Sequence, residues 1–314
     1  MPPSLVQFAE QILEDAKKLE RSLSAPPTFL HDTISELPVD LQETRRSVID
    51  ATANLNALVR GSGGPIGRIF EMAYCYSDQL AMQAVYHFRI PHAVPLDGDI
   101  SFKHLADQCS VDEQQMTRLI QRAMTFHVFH EPRPGYVAHT ADSRLLVEDS
   151  TLYDLTGTLL EDLRPASLKI TDAMEKWPSS QEANQTGWQL AYDTDEEMYN
   201  HLAKDPERLR RFGQHLVHIA RQDPRVVEQI ASAYPWSDVQ NGKVVDLGGG
   251  NGQHSIGVAQ RHHSLSFVVQ DKPGVSETGQ SSLSPELKER VFFMDHDMFE
   301  VQPIKDADIY FIRH

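Results

Sequence analysis

Apolar residues recur at helical spacing through the first two thirds of the chain and give way to short continuous runs near its end. Residues 4–24 set Leu5, Phe8, Ile12, Ala16 and Leu19 among charges, which predicts an amphipathic helix stopped by the prolines of SAPPTFL (24–30). A second helix is predicted over about 39–60, carrying Leu41, Val48, Ile49, Ala53, Leu55 and Leu58. It stops at Gly61-Ser62-Gly63-Gly64-Pro65. Two helices alone cannot enclose a core, so they are expected to pack on a neighbour or on a second copy of the chain.

Residues 66–89 predict a third helix, ending at Ile90-Pro91, and another starts at Ser101. Ser110-Val111-Asp112-Glu113 has the spacing of a capping box, and the helix after it carries Met116, Leu119, Ile120, Ala123 and Met124 on one stripe. Val128–His130 and Tyr136–Ala138 flank a Pro- and Gly-containing turn, which predicts a two-stranded ribbon. Helix, turn, helix, ribbon is the winged-helix order. Farther on, Leu152–Leu163 reads as one helix and Trp188–Phe212 as a pair divided at Asp205-Pro206. A last helix is predicted from Gly213 to about Tyr234, kinked or restarted at Pro224. Trp188, Tyr192, Tyr199, His215 and His218 either line a pocket for a flat apolar substrate or belong to the core.

After Pro235 and the polar run Ser237–Gly242 the pattern changes. Lys243–Leu247 is a buried strand, followed by Gly248-Gly249-Gly250-Asn251-Gly252 and a helix to about Arg261. Leu265–Gln270, Arg290–Met294 and Ala307–Ile312 are further strands, and the alternation implies a parallel sheet with crossover helices. A strand, a GxGxG turn and a helix let a ligand approach bare backbone. Asp271, at the tip of the second strand, stands where an acidic residue holds a ribose diol. Gln253 occupies the place of the third glycine of a dinucleotide fingerprint, which disfavours NAD. Asp246, just before the glycines, suits an ammonium-bearing tail and repels a pyrophosphate. S-adenosylmethionine fits both observations.

Composition narrows the partners. The 314 residues carry 29 Lys and Arg against 45 Asp and Glu, a formal charge of −16, which argues against nucleic acid and anionic membranes. The winged-helix stretch 101–146 balances five basic residues (Lys103, Arg118, Arg122, Arg133, Arg144) with five acidic ones, so packing or dimerisation is expected of it rather than phosphate binding. The two cysteines, Cys75 and Cys109, form no disulfide framework or metal spacing, and no metal is expected. No stretch approaches the roughly 20 apolar residues of a membrane span, and the start lacks a signal-peptide run, so the cytoplasm is the expected compartment.

Val245-Asp246-Leu247-Gly248-Gly249-Gly250-Asn251-Gly252 resembles the first motif of plant- and fungal-type small-molecule O-methyltransferases. Phe267–Pro273 is similar to their FVVQDLP segment, and His296-Asp297-Met298-Phe299 to their HDFF or GDMF segment. Ala307–His314 is similar to the strand that leads into their catalytic helix. The resemblance implies a mainly α N-terminal part with a winged-helix dimerisation domain, then an α/β Rossmann-like domain with an incomplete parallel sheet. The implied divisions are a helical arm (1–60), the winged-helix domain (61–146), a helical linker and substrate-side region (147–236) and the Rossmann-like part (237–314).

It further implies S-adenosylmethionine as cofactor, a small hydroxylated substrate and a homodimer built through the N-terminal helices and winged helix. Gly248, Gly249 and Gly250 would pass the methionine part beside Asp246. Asp271 would hold the ribose, Asp297 and Met298 would flank the adenine, and Arg313 takes the place of a cofactor-contacting basic residue. The family's catalytic histidine falls a few residues beyond His314, so no catalytic residue is assigned and this chain is expected to be C-terminally truncated and weak or inactive. Ile309, Phe311 and Ile312 would then lie at an uncovered sheet edge. Two alternatives stay open: a non-methylating cofactor-binding protein of pericyclase type, and a non-catalytic dimerising protein.

Overall fold

The computed structural model describes residues 3–222, 230–231, 234–239, 241–273, 279–280 and 283–312, and the chain divides into two compact units, 1–216 and 217–314. Among the described residues no helix is long and apolar enough to cross a membrane.

The first unit is helical. α1 (Leu5–Glu20) begins at Ser4, whose hydroxyl accepts the Gln7 N–H while the Gln7 side chain accepts the Ser4 N–H. It packs against α2 (Gln42–Arg60), and Ser47 Oγ links them by accepting from Gln11 Nε2 (2.8 Å) and donating to Asp15 Oδ2 (2.7 Å). Leu19 is the buried residue of α1 and Ala51 that of α2, so this hairpin encloses no core of its own. Gly61, at φ +66°, ends α2 as the glycine run predicted. The expected helix over 66–89 is broken at Cys75 into α3 (Arg68–Tyr74) and α4 (Tyr76–His87). Ile66, Ile69, Phe70, Met72, Tyr74, Tyr76 and Leu80 lie exposed along this stretch.

α5 (Ile90–Ala93) leads to β1 (Ile100–Ser101), α6 (Phe102–Cys109) and α7 (Glu113–Met124). The expected capping box at Ser110 is not what caps α7. Ser110 closes α6 in the left-handed region (φ 55°), and the Asp112 carboxylate accepts the Gln114 and Gln115 N–H groups, both at 3.0 Å. Met116, Ile120 and Ala123 are buried as predicted, while Leu119 and Met124 are half-buried. The ribbon also differs. β2 (Tyr136–Val137) pairs antiparallel with β1, and the Val128–His130 segment contributes a single bridge, His130 to Ala138. His127 and Phe129 both sit at φ +68°, which breaks the extended run. Val85, Ile90, Leu105, Met116, Ile120 and Phe129 form the core beneath.

α8 (Ala141–Glu148) and α9 (Ser150–Gly157) follow, and the expected helix 152–163 then widens into a π-helical turn, Thr158–Leu163. α10 (Arg164–Ser167) and α11 (Ile170–Lys176) precede three helices where two were expected: α12 (Gly187–Tyr192), α13 (Met198–Leu202) and α14 (Pro206–Gln222). Asp193, left-handed at φ 47°, separates the first two. α14 runs through Gly213, so no new helix starts there; Pro224 lies outside the described residues. Trp188, Leu202 and Phe212 are buried together with Tyr192 half-buried against them, and His215 and His218 are buried, whereas Tyr199 is 54% exposed and belongs to no core.

The π-turn places the Asp162 carboxylate to accept Arg208 Nε (2.8 Å) and Arg211 Nη2 (2.6 Å) from α14. Asp154, in the last turn of α9, accepts Arg210 Nη1 (2.7 Å) and Nη2 (2.9 Å). The start of α14 is therefore held in the first unit by charged pairs as well as by the burial of Phe212.

In the second unit β3 (Lys243–Leu247), β4 (Ser266–Asp271), β5 (Val291–Asp295) and β6 (Ile309–Ile312) form a parallel sheet in the order β5-β4-β3-β6. The first three fall within one residue of the expected strands, and the fourth starts two residues later than expected. Val244, Phe267, Val269 and Val291 pack with Leu265, Trp236 and, from α15 (Gln253–Arg261), Val258 and Ala259. The Arg290 guanidinium donates to the Ala259 and Leu265 carbonyls (3.1 and 3.2 Å), satisfying groups near the end of α15.

Candidate functional site

The chain places successive strands on one side of β3 and then returns to its other side with β6. Ligands of open parallel sheets bind at such a reversal, outside the carboxyl ends of the strands. The glycine turn stands there. Gly248, Gly250 and Gly252 have φ of +71°, +57° and +71°, which L side chains rarely adopt. A Cβ on Gly249 would come within 2.6 Å of the Asp246 carboxyl carbon and of Val269 Cγ1. At Gly250 the same position opens onto free space, so bare backbone faces outward.

The tip of β4 holds this turn. The Gln270 carbonyl accepts the Gly248 and Gly249 N–H groups (2.8 and 3.1 Å), and Asp271 Oδ2 accepts the Gly250 N–H (2.8 Å). Lys272 N–H donates to the other Asp271 oxygen at 2.7 Å. Each oxygen keeps acceptor capacity for a further donor such as a ribose hydroxyl. The Asp271 carbonyl also accepts the His296 N–H (2.9 Å), so the same residue anchors the loop after β5.

Asp246 lies beneath the glycine turn. It is 3% exposed and accepts a hydrogen bond from Ser255 Oγ at 2.6 Å. Burial pushes its pKa up to about 6; the Ser255 hydroxyl opposes that shift and the nearby Asp271 charge adds to it.

The loop after β5 forms the facing wall. Asp297 Oδ1 accepts the Phe299 N–H (3.0 Å), which makes a local turn and presents Met298. A Cβ on Gly248 would meet Met298 Cε at 3.0 Å, so this wall reaches the glycine turn. The structure thus brings Asp246, Gly248, Gly249, Gly250, Asp271 and Met298 into one neighbourhood, with Asp297 shaping the loop that carries Met298. Arg313 and His314 lie outside the described residues.

Some supporting residues had no sequence signal. Ser255, on the first turn of α15, holds Asp246, and Phe293 lies 2.9 Å from where a Gly252 Cβ would stand. Gln270 was visible as part of a motif but not as the residue whose carbonyl ties down the turn.

The O-methyltransferase domain family matches residues 176–314. Among curated relatives, O-methyltransferase AMT9 of Alternaria alternata is 37% identical over 282 residues, covering 87% of this chain and 63% of that protein. O-methyltransferase gsfB of Penicillium aethiopicum is 32% identical over 314 residues, covering 98% of this chain and 73% of that one. The chain spans less than two thirds of the length of the Alternaria relative. Among solved structures, OxaC in complex with SAH and oxaline superposes with a TM-score of 0.71 at 19% identity, over 98% of this chain and 74% of that one.

Proposed function

The chain belongs to the O-methyltransferase family, and from that premise we propose that it binds S-adenosylmethionine above the glycine turn, as the cofactor half of a cytoplasmic enzyme that methylates a hydroxyl of an aromatic, polyketide-like metabolite. The observation that carries this reading is the joint hold of the β4 tip on the glycine turn, with Asp271 on Gly250 and the Gln270 carbonyl on Gly248 and Gly249. In this reading the bare Gly250 backbone admits the methionine part, and Asp271 accepts the ribose hydroxyls with its remaining lone pairs. Asp246 contributes negative charge beneath a cationic tail, and Asp297 and Met298 flank the adenine. The cofactor supplies an electrophilic methyl group on a sulfonium; these residues orient it.

Calorimetry with S-adenosylmethionine tests the reading. The wild-type protein binds, and Asp271→Ala weakens binding by about 10- to 100-fold, the value of charge-assisted hydrogen bonds to a ligand. Absence of wild-type binding sinks the cofactor assignment. Equal binding by the variant removes Asp271 from the site.

The exposed apolar residues between Ile66 and Leu80 fit a second copy of the chain, in line with the charge balance of the 101–146 stretch. Small-angle scattering is expected to give the mass of a dimer, and a monomer at all concentrations would contradict this arrangement.

A further inference from the structure

Gln302 lies outside every motif that marks the cofactor crevice, yet its side chain is joined to the tip of β4 by two hydrogen bonds. Gln270 Nε2 donates to Gln302 Oε1 (3.0 Å) and Gln302 Nε2 donates to Gln270 Oε1 (2.7 Å). Gln270 is 1% exposed, so its amide is satisfied by protein rather than by water. The Gln270 carbonyl meanwhile holds Gly248 and Gly249. One residue therefore grips both walls of the crevice, the glycine turn through its main chain and the loop after β5 through its side chain.

That loop has little else to fix it. Phe299 and Val301 are 89% and 80% exposed, so apolar burial does not set their position. Its ends are pinned by polar contacts: the His296 N–H on the Asp271 carbonyl, the Ile304 N–H on Gln302 Oε1 (3.0 Å), and Tyr310 Oη on the Ile304 carbonyl (2.6 Å). An apolar pair in place of the two glutamines would fill the volume but fix neither distance nor direction.

We propose that Gln302 is a positioning residue: its reciprocal amide pair with Gln270 holds the 296–304 loop, with Asp297 and Met298, at the separation from the glycine turn that the adenosine half of the cofactor requires. The proposal rests on the cofactor reading above.

S-adenosylhomocysteine affinity, measured by calorimetry on wild type, Gln302→Leu and Gln302→Glu, tests it. Gln302→Leu is expected to bind about tenfold more weakly at any pH. A protonated glutamic acid can both donate to Gln270 Oε1 and accept from Nε2, whereas the ionised form can only accept. The affinity of Gln302→Glu relative to wild type therefore climbs toward one as pH falls through about 4.3, the ordinary glutamate value, and lies about tenfold below it at about pH 7. If the leucine variant does not fold, the glutamate variant carries the test. A loss in Gln302→Glu that ignores pH, or no loss in either variant, overturns the proposal while leaving the cofactor reading intact. A wild-type protein that does not bind S-adenosylhomocysteine overturns both.

Discussion

Asp162→Ala will lower the stability of the helical unit by about 3–5 kcal/mol, the range expected when one member of a buried ion pair is removed. The Asp162 side chain is 2% exposed, and its partners Arg208 and Arg211 are 20% and 13% exposed. Deleting the carboxylate leaves two largely buried guanidinium groups without their counter-charge. What remains to them is weaker. Arg211 Nη1 donates to Tyr86 Oη at 3.1 Å, and the Arg208 guanidinium lies 4.6 Å from the Tyr192 ring centre. The effect is electrostatic rather than a cavity effect, and a double variant separates the two. Asp162→Leu with Arg211→Met removes charge from both sides and should recover part of the loss. Urea denaturation followed by circular dichroism measures both, and Asp162→Ala within about 1 kcal/mol of wild type would show the pair to be idle.

The π-helical turn explains why this clamp was invisible in the sequence. Leu152–Leu163 carries an α-helical apolar pattern, and nothing in it announces that one turn will widen and re-aim Asp162 at two arginines about fifty residues later. The sheet behaved in the opposite way. Each of its strands is a short run of β-branched and aromatic residues bounded by polar segments, so position and type could be read locally. Local rules failed where two candidates competed. Ser110 and Asp112 both offer a cap for α7, and the choice fell to Asp112 because Ser110 was already needed in the left-handed position that ends α6.

The site was legible to a similar degree. Gly248, Gly250 and Gly252 could be placed because only glycine tolerates their φ values at no cost, and Asp271 because an acidic residue at a strand tip faces that turn. Gln302 could not be placed, since its role depends on a pairing 32 residues distant in the chain, between two side chains that no spacing rule connects.

Asp246→Asn is expected to stabilise the second unit above neutral pH and to flatten the pH dependence of cofactor binding. The folded-state pKa of Asp246, about 6, lies above the ordinary carboxyl value of 3.8 because burial disfavours the charge. Below the ordinary value the side chain is neutral in both states and costs nothing. Between the two values the unfolded chain ionises while the folded one keeps its proton, so stability falls as pH rises. Above about pH 6 the penalty is constant, at about 3 kcal/mol from 1.36 kcal/mol per unit. Asparagine carries no such charge, and its carbonyl can still accept the Ser255 hydroxyl that now meets Asp246 Oδ2. The stability gain of the variant should therefore be near zero at about pH 4 and approach the full penalty by about pH 8. Ligand binding runs the other way. A bound ammonium or sulfonium group favours the carboxylate, so wild-type affinity for S-adenosylmethionine should rise through about pH 6, while that of Asp246→Asn stays level and lower. Chemical denaturation and calorimetry across that range read the two effects separately. A variant that tracks wild type in both would mean that the buried carboxylate carries no charge in the working protein and takes no part in holding the cofactor.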